Sequence, residues 1–271
     1  VADLLHERGV ESRLEIIPTG VDVPHFAQGD GPAFRARHGI PAKAFVVGYV
    51  GRLAPEKNLG FLARAVARFL KDSPQAHFLV VGGGESENEI REVLAQAGLA
   101  DRLHLAGCCD GQELIDGYHA LDVFAFASQS ETQGMVLTEA MAAGKPVVAL
   151  AGPGVRDVVQ DRVNGRLLDV EDAAAFATAL VAIADASRVE RAVLIRAARN
   201  TAKRFSMPRQ ARRALALYDS LRAELPHGDE GPAIWHRARR RIETELALWS
   251  NAAHAASQAL EPAEAPAVVT R

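Results

Sequence analysis

Between residues 45 and 168 the chain repeats one unit: a short apolar run, a turn, then a segment with apolar residues at helical spacing. Residues 45–50 (Phe-Val-Val-Gly-Tyr-Val) form the first run. Phe61, Leu62, Ala65, Val66, Phe69 and Leu70 mark the helix expected over 59–71. The same pattern predicts strands at 77–81, 102–106, 122–126 and 146–150, with helices at 87–97, 112–119 and 134–143 between them. An unbroken apolar run fits a strand buried on both faces. Strands separated by helices pair in parallel through right-handed crossovers. The expected fold is therefore α/β, a doubly wound parallel sheet.

The flanks are less regular. Upstream, residues 1–8 read as a short helix, 14–17 as a strand ending at Pro18, 19–22 as a turn, and 25–44 as a loop with one short helix over 33–38. Downstream come a short helix at 155–160, a turn at Asn164-Gly165 and a strand at 166–168. Helices at 171–185, 188–205 and 208–225 then close the domain, with Pro208 in a favourable first-turn position. Residues 226–232 read as a linker and 233–260 as one long helix with a stripe of Trp235, Ala238, Ile242, Leu246 and Trp249. The Pro- and Ala-rich residues 261–271 read as a disordered tail. The chain opens on Val1 within a helical pattern, which suggests a piece of a longer protein.

Charge and cysteine content narrow the function classes. A formal net charge of −3 gives no global electrostatic case for nucleic acid, whose phosphates call for a basic face. The two cysteines, Cys108 and Cys109, are adjacent and poorly placed for a disulfide, which favours a reducing compartment. Residues 1–17 lack the basic-then-apolar order of a signal peptide and no apolar run reaches bilayer length, so the cytoplasm is expected. The nine histidines are scattered and no CxxC or HxxxH spacing occurs, so neither a metal nor another cofactor is expected.

The stretch from Ser128 to Pro146 is where chemistry concentrates. It carries Glu131 in a polar loop after an apolar run and Glu139 in the helix that follows. In an open α/β sheet that loop lies at the carboxyl end of a strand, where ligands bind and a helix start offers free N–H groups. Gly134 lets the backbone approach a ligand, and the N–H groups of Met135 and Val136 would be free. Glu139 could accept from sugar hydroxyls, or could only complement the helix dipole. The loop after the first run carries Gly51, Arg52 and Lys57, two cations able to neutralise a diphosphate.

These residues resemble the donor-binding half of a retaining GT-B glycosyltransferase of family 4. Residues 17–22 (Ile-Pro-Thr-Gly-Val-Asp) resemble the family's interdomain segment. Val50-Gly51-Arg52-Leu53 with Glu56-Lys57-Asn58 resembles its phosphate-binding loop, and residues 131–141 resemble its two-glutamate motif. Gly144-Lys145-Pro146-Val147-Val148-Ala149 and Asn164-Gly165 continue the likeness, which covers roughly residues 14–220. Ala127 stands where relatives often have Pro.

The resemblance implies two Rossmann-like domains, of which residues 1–24 would close the acceptor domain and 25–225 would form the donor-binding one. It implies that Arg52 and Lys57 hold the donor diphosphate, Glu139 the ribose hydroxyls and Glu131 the hydroxyls of the transferred sugar. Gly51 and the N–H groups from Gly134 to Val136 would complete the cradle. Thr132-Gln133 is similar to the motif of bacterial diacylglycerol glucosyltransferases, which favours UDP-glucose over GDP-mannose and a lipid or glycan acceptor. Without most of the acceptor domain the chain should bind donor weakly and transfer poorly. The alternatives are a non-catalytic nucleotide-sugar-binding module, or another GT-B enzyme such as an epimerase. Arg237, Arg239, Arg240 and Arg241 beside Trp235 and Trp249 fit a peripheral membrane contact at the inner face of the membrane, while the single apolar stripe fits packing on the chain's own domain or on a second subunit.

Overall fold

A computed structural model describes residues 2–128 and 130–224. Six strands form one sheet: β1 (Phe45–Val50), β2 (Ala76–Val81), β3 (Leu103–Gly107), β4 (Val123–Phe126), β5 (Val147–Leu150) and β6 (Gly165–Leu168). Their order is β3-β2-β1-β4-β5-β6 and every pairing is parallel. The chain winds outward from β1 through β2 to β3, then crosses to β4 and winds the other way. Adjacent to β1, β4 thus begins the second half, and between them lies the topological switch point.

The helices in chain order are α1 (Ala2–Glu7), α2 (Val23–Phe26), α3 (Gly31–Arg37), α4 (Leu59–Asp72), α5 (Glu87–Gln96), α6 (Gly111–His119), α7 (Met135–Ala142), α8 (Pro153–Arg156), α9 (Ala173–Ala184), α10 (Arg188–Arg204) and α11 (Met207–Glu224). Helix α4 packs with α5 and α9, α7 with α10, and α3 with α6. The strands are enclosed as their unbroken apolar runs require: Val46, Val47, Val80, Val123, Phe124, Val147 and Val148 are all fully buried. A compact unit spans Val1–Ala216 and contains the whole sheet; of the second unit, Leu217–Arg271, only helical residues up to Glu224 are described. The linker expected at 226–232, the helix at 233–260 and the tail at 261–271 lie outside the described residues.

Three expectations about the flanks need correction. Residues 14–17 form no strand; the nearest ladder contact is an isolated bridge from Val21 to Ser206. A strand requires a neighbour to exchange hydrogen bonds with, and here the Ile16 carbonyl accepts from the Arg213 guanidinium at 2.8 Å instead. The segment expected as turn and loop from 19 to 44 holds a second short helix, α2, because Asp22 caps it through a hydrogen bond from His25 N–H at 3.1 Å and Pro24 sits in its first turn. Helix α8 starts at Pro153 and ends by Arg156, short of the expected 155–160. The chain turns there because the Asn164 side chain accepts from Gln160 N–H at 2.8 Å.

Candidate functional site

The carboxyl ends of β1 and β4 bring the two chemistry-bearing loops together. After β1 the chain runs through Gly51 and Arg52 to a single 3-10 turn, Pro55–Lys57, and enters α4 from Asn58, which is left-handed at φ 54°. After β4 it passes Ser128 and Glu131 and enters α7 from Gly134. Ser128 is fully buried, and its hydroxyl donates to the Glu56 carbonyl at 3.4 Å, joining the loops. Lys57 Nζ lies 3.3 Å from Glu131 Oε2, with both side chains mostly covered. A third loop is tied in, as Gly154 N–H donates to the Glu131 carbonyl at 3.0 Å.

Gly134 is required by the backbone. Its φ of 66° is left-handed, and a Cβ would meet Leu137 Cδ1 at 2.9 Å and the Gly154 carbonyl at 3.1 Å. Beyond it, Met135 and Val136 begin α7, so their N–H groups have no intrahelical acceptor. Glu131 Oε1 already accepts from Gly134 N–H at 3.1 Å and Gln133 N–H at 3.4 Å. Burial works to raise the Glu131 pKa, but these hydrogen bonds and the Lys57 charge outweigh it and hold the carboxyl below its usual range. An ionised carboxylate offers about four acceptor sites. With Lys57 and two N–H groups in place, Glu131 has room for roughly one hydroxyl more.

Glu139 sits one turn into α7 in a different setting. Its Oε2 accepts from the Tyr118 hydroxyl at 2.7 Å, and burial raises its pKa despite that bond. Tyr118 is itself fully buried, on the inner face of α6, with its ring against Phe124 and Phe26. Burial, and the carboxylate beside it, push the phenol well above its usual range. Sequence reasoning missed Tyr118 because it fits the apolar face of α6; the available signal was the need of a buried phenol for a partner.

Of the expected site residues, Lys57, Glu131 and Gly134 are brought into contact. Arg52 is not: its side chain is 71% exposed and pairs with Glu56. Its backbone carbonyl is fixed by the buried Tyr49 hydroxyl at 3.0 Å, which holds the loop and leaves the guanidinium at the surface. Met135 is 40% exposed at the mouth of the site, and Val136 is partly buried. Gly51 lies beside Gly82, where a Cβ would come within 2.0 Å of the Gly51 carbonyl. Gly82 and Gly84 thus allow close backbone contact. A Cβ on Gly84 would meet the Leu53 carbonyl at 2.4 Å, and Leu53 N–H donates to the Gly83 carbonyl at 2.9 Å. Among the described residues no cluster of three or more His, Cys, Asp or Glu is placed to hold a metal ion.

Residues 30–201 match the family described as glycosyl transferases group 1. The chain belongs to this family. It is 34% identical over 222 residues to a D-inositol 3-phosphate glycosyltransferase from Geodermatophilus obscurus, covering 79% of this chain and 48% of that relative. The chain thus spans about half the length of the curated relatives it matches. Among solved structures, Anabaena HepE in complex with UDP-glucose superposes with a TM-score of 0.67 at 28% identity, over 76% of this chain and 57% of HepE. The C-terminal domain of the group 1 protein LpcC from Francisella tularensis gives a TM-score of 0.60 at 25% identity, over 68% of this chain and 97% of that domain. The Rossmann-like sheet of this glycosyltransferase domain is therefore one half of a GT-B fold. No helix among its described residues is long and apolar enough to cross a membrane.

Proposed function

We propose that this chain is the donor-binding part of a retaining hexosyltransferase that takes a sugar from a nucleoside diphosphate, with UDP-glucose favoured and GDP-mannose second. The observation that carries the reading is the meeting of Lys57 and Glu131, from the two loops at the switch point, 3.3 Å apart beside the free start of α7. A cation there faces the departing diphosphate, and the unbonded N–H groups of Met135 and Val136 add the positive end of the helix dipole. Both meet negative charge as it develops on the leaving phosphate, without a metal ion or another cofactor. Arg52 reaches the diphosphate by exchanging Glu56 for phosphate, a low barrier for an exposed ion pair. Glu131 accepts from the transferred sugar and Glu139 from the ribose.

HepE supports UDP-glucose as the donor, since its structure holds that molecule. The acceptor is a lipid or glycan in this reading; the inositol phosphate named for the Geodermatophilus relative is a further hydroxyl acceptor to test. The proposed site of action is the cytoplasm, at the inner membrane face if the acceptor is a lipid. Calorimetric titration of the chain with UDP-glucose and GDP-mannose checks the donor. The expected result is saturable, weak binding of UDP-glucose that Lys57→Ala and Glu139→Gln each weaken. Binding unaltered by both substitutions would overturn the site assignment.

A further inference from the structure

The opposite edge of the sheet, where β4 and β5 begin, holds a partly buried ammonium outside the proposed donor site. Lys145 lies two residues before β5, and its Nζ donates to the carbonyl of His119, the last residue of α6, at 2.9 Å. That is one acceptor for three N–H donors. Among the described residues no carboxylate lies within ion-pair distance of it. The one carboxylate that acts on it from further away is Asp122, while Arg35 and Arg199 both oppose its charge.

Asp122 is committed elsewhere. Its Oδ2 accepts from Arg35 and from Val46 N–H, both at 2.8 Å, and its Oδ1 faces Arg191 at 3.9 Å. Arg35 and Arg191 thus already face Asp122, Arg199 adds positive charge near Lys145, and the other carboxylate nearby, Asp116, acts on His119 and faces Arg37 at 3.8 Å. Arg199 lies directly over the neighbouring backbone, since a Cβ on Gly144 would come within 2.8 Å of its Nε. His119 brings no negative charge: its Nε2 is engaged with the Phe26 carbonyl at 3.0 Å. A cavity of about 310 Å³ opens here, lined by Lys145, His119, Asp122, Arg35, Pro32 and Ile40 among others. Such a volume is at the small end of ligand pockets and ample for a phosphate group.

We infer that this cavity is an anion site, with Lys145 as its central donor and Arg199, over the neighbouring Gly144, as a nearby cation, that takes inorganic phosphate or a small phosphomonoester. A dianion supplies the acceptors that the two spare N–H groups of Lys145 lack and offsets the excess of positive charge around Asp122. Burial, joined by the charges of Arg35 and Arg199, lowers the Lys145 pKa to about 8 against the opposing pull of Asp122. The capping of α6 by Lys145 is a structural role that stands with or without an anion, and the experiment separates the two.

The experiment measures the melting temperature and the calorimetric heat of the full 271-residue chain titrated with inorganic phosphate, against chloride at equal ionic strength. It is run in the Lys57→Ala background, which weakens phosphate binding at the donor site, so that the difference made by Lys145→Met reports on this cavity. A phosphate-specific rise in melting temperature at about pH 7, reduced severalfold at about pH 9 where Lys145 is neutral, is expected. Lys145→Met should abolish it, and Arg199→Gln, an exposed change that leaves the fold intact, should weaken phosphate binding about threefold or more. Glucose 6-phosphate in place of phosphate tells a phosphomonoester site from one sized for the free ion. Equal responses to phosphate and chloride, or a full phosphate response in Lys145→Met, would overturn the inference. If Lys145→Met fails to fold, an Arg199→Gln protein with undiminished and pH-independent response does the same.

Discussion

Glu131 and Glu139 are the same side chain eight positions apart, one in a loop and one in a helix, and the protein treats them in opposite ways. Glu131 is met by a cation and two N–H groups and is held ionised; Glu139 is buried against a phenol and its charged form is disfavoured. The difference is one of architecture. Glu131 lies where two loops and a helix start converge, so donors surround it. Glu139 lies one turn into α7, where the N–H groups from Leu137 onward are spent on the helix, and among the described residues the Tyr118 hydroxyl of α6 is what donates to it. The loop carboxylate is therefore part of the frame, while the ionised form of the helix carboxylate costs stability.

The most severe way to break this contrast is to remove the cation. Lys57→Ala leaves Glu131 partly buried without its partner and, in the proposed donor site, removes a counter-charge to the diphosphate. Losing one member of a covered charge pair costs about 2 kcal/mol or more, or roughly 30-fold in donor affinity. Calorimetry against UDP-glucose reads this directly, and the melting temperature should fall as well. An affinity within twofold of the unaltered chain would separate Lys57 from the donor altogether.

Neutralising each carboxylate in turn sharpens the contrast. Glu139→Gln should cost about tenfold in donor affinity, the value of roughly one hydrogen bond to a charged group, while leaving the melting temperature unchanged or higher. Glu131→Gln should lower both, because an amide cannot serve Lys57 and the α7 start as the carboxylate does. Two melting temperatures shifted in the same direction would erase the distinction. A smaller effect is expected from Tyr118→Phe, which takes away the hydroxyl that Glu139 accepts from. About fivefold weaker donor binding, or roughly 1 kcal/mol, is the expected outcome by titration.

The two glutamates also show what could be read from the chain and what could not. Apolar runs and helical spacing carry the order of strands and helices because each element must bury its own residues, and this information is local. The position of Glu131 follows in the same way, since a polar loop after a buried strand has one place to go. Lys57 at 3.3 Å from it was legible only as a shared edge, because which cation turns inward depends on Tyr49 fixing the Arg52 backbone and on Glu56 taking the Arg52 side chain. Tyr118 against Glu139 joins residues of different helices through the adjacency of their strands, and neither residue's neighbours announce it. The glycines at 82–84 show the same limit. Without its contact with Gly51, a glycine made for close approach looks the same as one made for freedom.

The smallest expected effect is the dependence of stability on pH, and here the signs differ. For Glu131 the pKa in the folded chain is below its ordinary value of 4.5, so the unfolded chain binds more protons as pH falls. Its contribution is complete above 4.5 and is lost as the pH drops through the folded value. For Glu139 the folded value lies above 4.5, so between the two the folded chain holds the extra proton and stability declines as pH rises. Melting curves from about pH 4 to pH 7 should show the advantage of the unaltered chain over Glu131→Gln shrinking toward the acid end. The relative stability of Glu139→Gln should grow across the interval above 4.5 and then level off. Parallel curves for the two variants would mean that the folded protein does not distinguish its glutamates, and that the contrast between loop and helix has no thermodynamic content.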